Sequence, residues 1–216
     1  MIVHMSARPD GRASVAIAVE AATAGARAAG IIHERSTTMT SLDAPIEIVP
    51  YDPSWPVLFQ TEAMVLRRAL RTWIVGPIEH IGSTAVSGLA AKPVIDIMAG
   101  VHTLDDSRPA RDAAAEVGYC YAPYQVELEH WFCKPSSAFR THHLHLIPVG
   151  SPQWIRPLAF RDYLRAHADV AREYGALKWR LSEEHRLDRE AYTRAKRPFI
   201  DRITETALKT SWPPNP

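Results

Sequence analysis

The run PVIDIMAGV, residues 93–101, is apolar at every position except Asp96. So short a run, rich in Val and Ile, reads as a strand buried on both faces. An ionised carboxylate in such a strand is costly unless something answers its charge. Two answers fit the neighbouring residues: a cation held at the strand, or a structural ion pair with Lys92 or an arginine. The fold must therefore build a sheet around this strand and a partner beside Asp96.

The rest of the chain supplies the pieces. IEIVPY at 46–51 alternates like a short strand and is stopped by DPSWP. A helix is expected from Ser54, which can cap it, with Pro56 tolerated near its start. Its apolar stripe is Trp55, Phe59, Leu66, Leu70 and Trp73, with Glu62 and several arginines mostly elsewhere. IEHIG at 78–82 reads as a strand running into a Gly-Ser turn, and 106–118 as a helix ending at Gly118. HWFCK (130–134) and THHLHLIPV (141–149) are expected to be strands joined by PSSAFR. A long helix follows through 159–184, striped by Leu164, Val170, Tyr174, Leu177 and Leu181. A second spans about 187–208, bent or restarted at Pro198. Tyr163, Tyr174 and Trp179 are expected to serve helix packing. The predicted class is α+β: a mixed sheet flanked by helices, with a helical C-terminal part.

Composition narrows the functional classes. With 25 basic and 24 acidic residues the formal charge is +1, which argues against steering onto nucleic acid or an anionic membrane. The two cysteines, Cys120 and Cys133, make no disulfide framework, so a reduced cytoplasmic protein is expected. No apolar run approaches the roughly 18 residues of a membrane span. Residues 1–44 read as an Ala-rich extension, partly disordered or helical, in which Glu20 and Arg27 interrupt any signal-peptide pattern. Residues 45–209 form the expected domain and 210–216 a frayed tail.

Three groups of residues carry candidate chemistry. Gly82, Ser83 and Thr84 either cradle a phosphate or form a tight strand-to-helix entry. His143 and His145 alternate on one strand and share a face, either as ligands for a cation or as hydrogen-bonded strand histidines. A zinc reading of the pair lacks further ligands of obvious spacing. Lys134 and Arg140 flank the proposed hairpin, as phosphate ligands or as solvated turn charges. Arg161, Asp162 and Lys196 fit a salt bridge between helices equally well.

The stretches YDPSWPVLFQTEA, EHIGSTAVSGLAAKPVIDIMAGV, HWFCKPSSAFRTHHLHL, LAFRDYLRAH and AYTRAKRPFI together resemble the GrpB family, over about residues 46–205. A similar domain is fused to some dephospho-CoA kinases. The resemblance implies a nucleotidyltransferase-like fold and transfer of a nucleoside monophosphate from ATP or another NTP to a small acceptor with Mg²⁺. It implies phosphate binding at the Gly82-Ser83 turn with Thr84, to which the residues themselves add Lys92, Lys134 and Arg140 as expected phosphate ligands. Metal would be held by Asp96 with His145, and His143, His145 or Glu129 would complete the site or take the acceptor's proton. The partners implied are a nucleotide and a small acceptor, with no specific nucleic-acid binding. The sequence departs from the superfamily's paired strand carboxylates at Met98. A non-catalytic nucleotide- or metabolite-binding or interaction module of the same fold is the alternative.

Overall fold

The computed structural model describes residues 45–210. The expected 1–44 extension and the 211–216 tail lie outside the described residues. Eleven elements follow in order: α1 Trp55–Ala69, β1 Ile74–Ile81, a single 3-10 turn Ser83–Ala85, β2 Ile95–Val101, α2 Ala110–Glu116, β3 Cys120–Tyr121, β4 His130–Pro135, β5 Arg140–Pro148, α3 Pro152–Ala166, α4 Ala168–Glu184 and α5 Arg189–Thr210. The strands form one mixed sheet in the order β1-β2-β5-β4-β3. Only β2 and β5 pair in parallel. The class is α+β, as the strand and helix pattern predicted.

Strand alternation sorts the side chains into two layers. On one face Ile78, Ile95, Ile97, Ala99, Phe132, Leu144 and Leu146 pack with Trp55, Phe59, Leu66 and Leu70 of α1 and Ala110 and Ala114 of α2. On the other, Ile81, Met98 and Ile147 pack with Trp154 and Leu158 of α3. Met98 is fully buried there. An acidic residue at that position would leave a carboxylate among tryptophan and leucine, which explains why the strand carries only one. The remaining helices pack through Val86, Leu89, Leu164, Tyr174, Phe199 and Ile203.

The departures from expectation have local causes. Residues 46–51 make a single bridge, Val49 with Ala91, and not a strand, because Ile46 and Ile48 pack with Leu181 and Tyr192 instead of a sheet edge. Ser54 stands before α1 but its side chain makes no capping bond, and Asp52 Oδ1 instead accepts from the Ser54 N–H at 2.8 Å. Glu62 lies on the buried face of α1, paired to Lys134 at 2.8 Å. The expected 159–184 helix is two helices broken at His167, whose φ −128 and ψ 86 are not helical. Its ring stacks on Tyr163 at 3.8 Å, so a side-chain contact holds a break that neither Gly nor Pro announces. Pro198, by contrast, sits inside a continuous α5, where Phe199 stacked on Tyr174 at 5.1 Å helps hold the helix in place. Among the described residues no helix is long and apolar enough to cross a membrane.

Candidate functional site

β2 and β5 pair so that Asp96 stands beside His143 and Met98 beside His145. β4 adds Trp131 opposite His145. Asp96, His143, His145 and Trp131 therefore share the sheet face that α3 covers only in part, and the uncovered part is the floor of a cleft of about 760 Å³. Ser83 and Thr84 border it at one end, and α4 and α5 form a wall with Lys178, Arg189, Tyr192, Thr193, Arg194 and Lys196.

Two carboxylate–histidine pairs organise the floor. His143 Nδ1 lies 2.8 Å from Asp96 Oδ1, and His145 Nδ1 lies 2.5 Å from Glu129 Oε2. Burial holds His143 below the usual histidine value despite Asp96. Burial would push Asp96 up, but the His143 bond and the neighbouring imidazoles outweigh it and keep the carboxyl below its usual value. Both directions describe a neutral His143 donating Nδ1–H to an ionised Asp96, which leaves Nε2 as a bare acceptor. That Nε2 is buried and has no hydrogen-bond partner among the described residues. At His145 burial opposes the charged ring, yet the Glu129 bond and charge prevail and raise it.

The walls are cationic. Burial, then the Arg189 and Lys196 charges, hold Lys92 down to about 8. Burial holds Lys196 at about 8 and Lys178 at about 7. Lys92, Arg140 and Lys196 enter no ion pair among the described residues, whereas Arg156, Arg194 and Arg202 on the helices do. Arg140 instead lies over the Trp131 ring at 5.1 Å and Lys196 over Tyr192 at 4.2 Å. Unmatched cations this close together cost self-repulsion that a polyanion would relieve.

The residues named from the sequence divide clearly. Ser83, Thr84, Lys92, Asp96, Glu129, Arg140, His143 and His145 all border this cleft. Thr84 does so with its hydroxyl committed: it donates to the Val94 carbonyl at 3.2 Å and contacts His80 Nε2 at 3.0 Å. Its one proton goes to Val94, so His80 Nε2–H must donate to it. Gly82 lies against the site from behind, with the Asp96 carboxylate where a Cβ would be. Lys134 is excluded. It pairs with His142 in the register, and alternation turns it to the α1 face, onto Glu62. The Gly-Ser pair opens only a three-residue 3-10 turn and so starts no long helix at the cleft. Arg161 bonds Glu79, the His80 carbonyl and Asp162, joining α3 to β1 and not helix to helix. Trp179, expected in helix packing, is 43% exposed.

The α4–α5 wall escaped the sequence reading apart from Lys196. A signal was present: Lys178 and Lys196 each stand four residues after a buried tyrosine, Tyr174 and Tyr192, on the stripe that packs inward. A separate groove of about 840 Å³ runs between residues 85–90 and helices α3 and α4. It holds Arg165 and Arg172 but no histidine or carboxylate.

One ligand atom from each of Asp96, His143 and His145 lies within 4.8 Å of the others. Mg²⁺ takes near-octahedral oxygen ligands, and this group offers one carboxylate and two imidazoles, with the thioether Met98 on the same face packed under α3. The donor set does not fit the Mg²⁺ that the resemblance implied.

Comparison with known proteins agrees with this architecture. The family described as GrpB protein matches residues 45–206. A UPF0157 protein of Pseudomonas aeruginosa is 40% identical over 170 residues, covering 77% of this chain and 69% of that protein. A dephospho-CoA kinase of Mycolicibacterium paratuberculosis is 28% identical over 219 residues, which span 84% of this chain and 51% of the kinase. The crystal structure of GrpB from Enterococcus faecalis superposes with a TM-score of 0.69 at 34% identity, covering 76% of this chain and 98% of that one.

Proposed function

The chain belongs to the GrpB family, and from that premise we propose that its cleft binds a nucleoside triphosphate and transfers the nucleoside monophosphate to a small hydroxyl or amino acceptor. The observation that carries this reading is the set of cations without ion pairs, Lys92, Arg140 and Lys196, facing the Asp96–His143–His145 floor. In transfer, the acceptor's oxygen or nitrogen bonds to the α-phosphorus and the bond to the β-phosphate oxygen breaks. The pyrophosphate that leaves carries the developing charge, and the cationic wall stabilises it where it forms. Glu129 receives the acceptor's proton: one of its oxygens is bonded to His145, which orients the carboxylate. Trp131, only partly buried, offers a flat apolar face for a base beside the Arg140 that already lies over its ring.

The test uses nucleotide labelled at the α-phosphate and a pool of small alcohols and amines, with pyrophosphate release followed in parallel. Wild type is expected to label an acceptor. Glu129→Gln is expected to bind nucleotide within about threefold of wild type and to lose about 100-fold or more of the rate. Full turnover in Glu129→Gln contradicts the proton assignment. Nucleotide binding without release of pyrophosphate from any acceptor favours the second reading, a binding module. Met98 supports that alternative, because its burial beneath α3 removes the second strand carboxylate.

A further inference from the structure

We infer that Cys120 and Cys133 form an oxidative modification site, closing to an intramolecular disulfide when a peroxide reaches the edge of the sheet. The inference goes beyond the nucleotide reading of the cleft, and its test requires no nucleotide.

Three observations converge. First, the two residues are direct partners across β3 and β4, and directly opposed residues send their side chains to one face. The Ala122 N–H donates to the Trp131 carbonyl at 3.0 Å, two pairs further along. Antiparallel pairs alternate in type, so Cys120 and Cys133 are likewise a hydrogen-bonded pair. Their Cα atoms then stand about 5.5 Å apart, inside the span of roughly 4.4–6.8 Å that disulfides use. Second, the two thiols differ in access: Cys120 is exposed and Cys133 fully buried. Third, the Cys120 thiol is already turned over β4, donating to the Pro135 carbonyl at 3.3 Å, two residues past Cys133. Rotation about its χ1 exchanges this weak bond for contact with the Cys133 sulfur.

Access sets the order of the chemistry. The Cys120 thiolate attacks one oxygen of hydrogen peroxide: a sulfur–oxygen bond forms, the oxygen–oxygen bond breaks, and hydroxide leaves to be protonated to water. Cys120 is then a sulfenic acid. The Cys133 sulfur attacks it: the sulfur–sulfur bond forms, the sulfur–oxygen bond breaks, and the departing hydroxide takes the Cys133 proton as a second water. The two thiols lose two electrons and two protons, and the peroxide gains them. Burial raises the Cys133 thiol above its usual value, against the neighbouring Arg140 and Arg189 charges, so this residue resolves the sulfenic acid and does not meet peroxide first.

Opposed Cβ atoms lie about 4.5–5.5 Å apart, more than the mean of about 3.8 Å across a disulfide. β3 is two residues long at the sheet edge and can be drawn in. A bridge under that strain is readily reduced, the behaviour of a reversible site and not of a structural staple. Ala122, Pro123 and Tyr124 follow β3 directly and border the cleft, so the bridge tethers one rim of it.

The experiment treats the full reduced chain with hydrogen peroxide and counts free thiols, followed by intact mass and an unreduced peptide map. Both thiols are expected to disappear together, the monomer to lose about 2 Da for its two hydrogens, and dithiothreitol to restore both. In Cys133→Ala the Cys120 sulfenic acid lacks a partner, so dimedone is expected to trap it. In Cys120→Ala the buried Cys133 thiol is expected to react at least about 10-fold more slowly than the wild-type pair. Far-ultraviolet circular dichroism accompanies each reaction, and the wild-type mass and peptide map decide the matter even where a variant does not fold. Folded wild type that keeps both thiols overturns the inference. So does Cys120 sulfinic acid beside an untouched Cys133, or a disulfide between two chains as the main product. Because the assay counts thiols alone, failure here leaves the nucleotide reading to stand or fall by itself.

Discussion

Gly82→Ala isolates the contact on which the floor depends. Gly82 has φ 69 and ψ −171, a region that is essentially reserved for glycine, where a side chain costs about 1–3 kcal/mol. A Cβ there would lie 2.3 Å from Asp96 Oδ2. Relief to ordinary contact requires a shift of about 1 Å, and Asp96 is the group able to move. Its 2.8 Å bond to His143 is then lost, worth about 1.5–3 kcal/mol for a charge-assisted bond. Strain and lost bond together come to about 2.5–6 kcal/mol, a large part of the stability of a domain this size. Gly88 provides the control. It has φ 76 and nothing within 4 Å of a built Cβ, so Gly88→Ala carries strain alone, about 1–2 kcal/mol. Urea unfolding of the two variants and wild type, followed by circular dichroism, reads both values. If Gly82→Ala is no less stable than Gly88→Ala, Asp96 does not lean on Gly82 and the argument fails.

Other consequences are equally direct. His80 is stacked on Phe59 at 4.6 Å, and burial lowers its pKa to about 4, so between pH 6.5 and 4 the unfolded chain binds the proton first. Stability is therefore held above pH 6.5 and falls by up to about 3 kcal/mol as pH drops through that window; His80→Asn, which retains a donor to Thr84, should show a flatter urea-midpoint profile. Met98→Asp is expected to cost about 3–5 kcal/mol in thermal or urea unfolding while conferring no Mg²⁺ binding, since the new carboxylate enters an apolar layer. Lys92 and Lys196, both near 8, lose charge as pH rises, so nucleotide affinity by calorimetry should fall about 10-fold or more between pH 7 and 9, with proton uptake on binding near pH 8.

What the sequence made legible was local. Asp96 in its apolar run, the alternation of His143 and His145, and the turn before β2 all lie within one strand or one tight turn, where a period of two fixes which side chains share a face. The same rule was available for Lys134 and would have placed it on the sheet face away from His143; its position beside the hairpin was read in preference to its parity. Elements set by distant packing were not legible. The break at His167 depends on a ring stacked on Tyr163, and β3 is two residues long, shorter than any periodicity can register. The α4–α5 wall depends on helices folding back over the sheet from residues 168–210, so the spacing that marks Lys178 and Lys196 as inward-facing does not say that they share a cleft with Asp96.

The central claim is that the phosphates of a nucleotide lie between the Lys92–Arg140–Lys196 wall and the Asp96–His143–His145 floor. A crystal structure with a non-hydrolysable nucleoside triphosphate tests it most directly. The account predicts phosphate oxygens within about 3 Å of at least two of those three cationic groups, with the α-phosphate nearest the histidines. Phosphates bound instead in the groove beside Arg165 and Arg172, with the cleft empty, would contradict it.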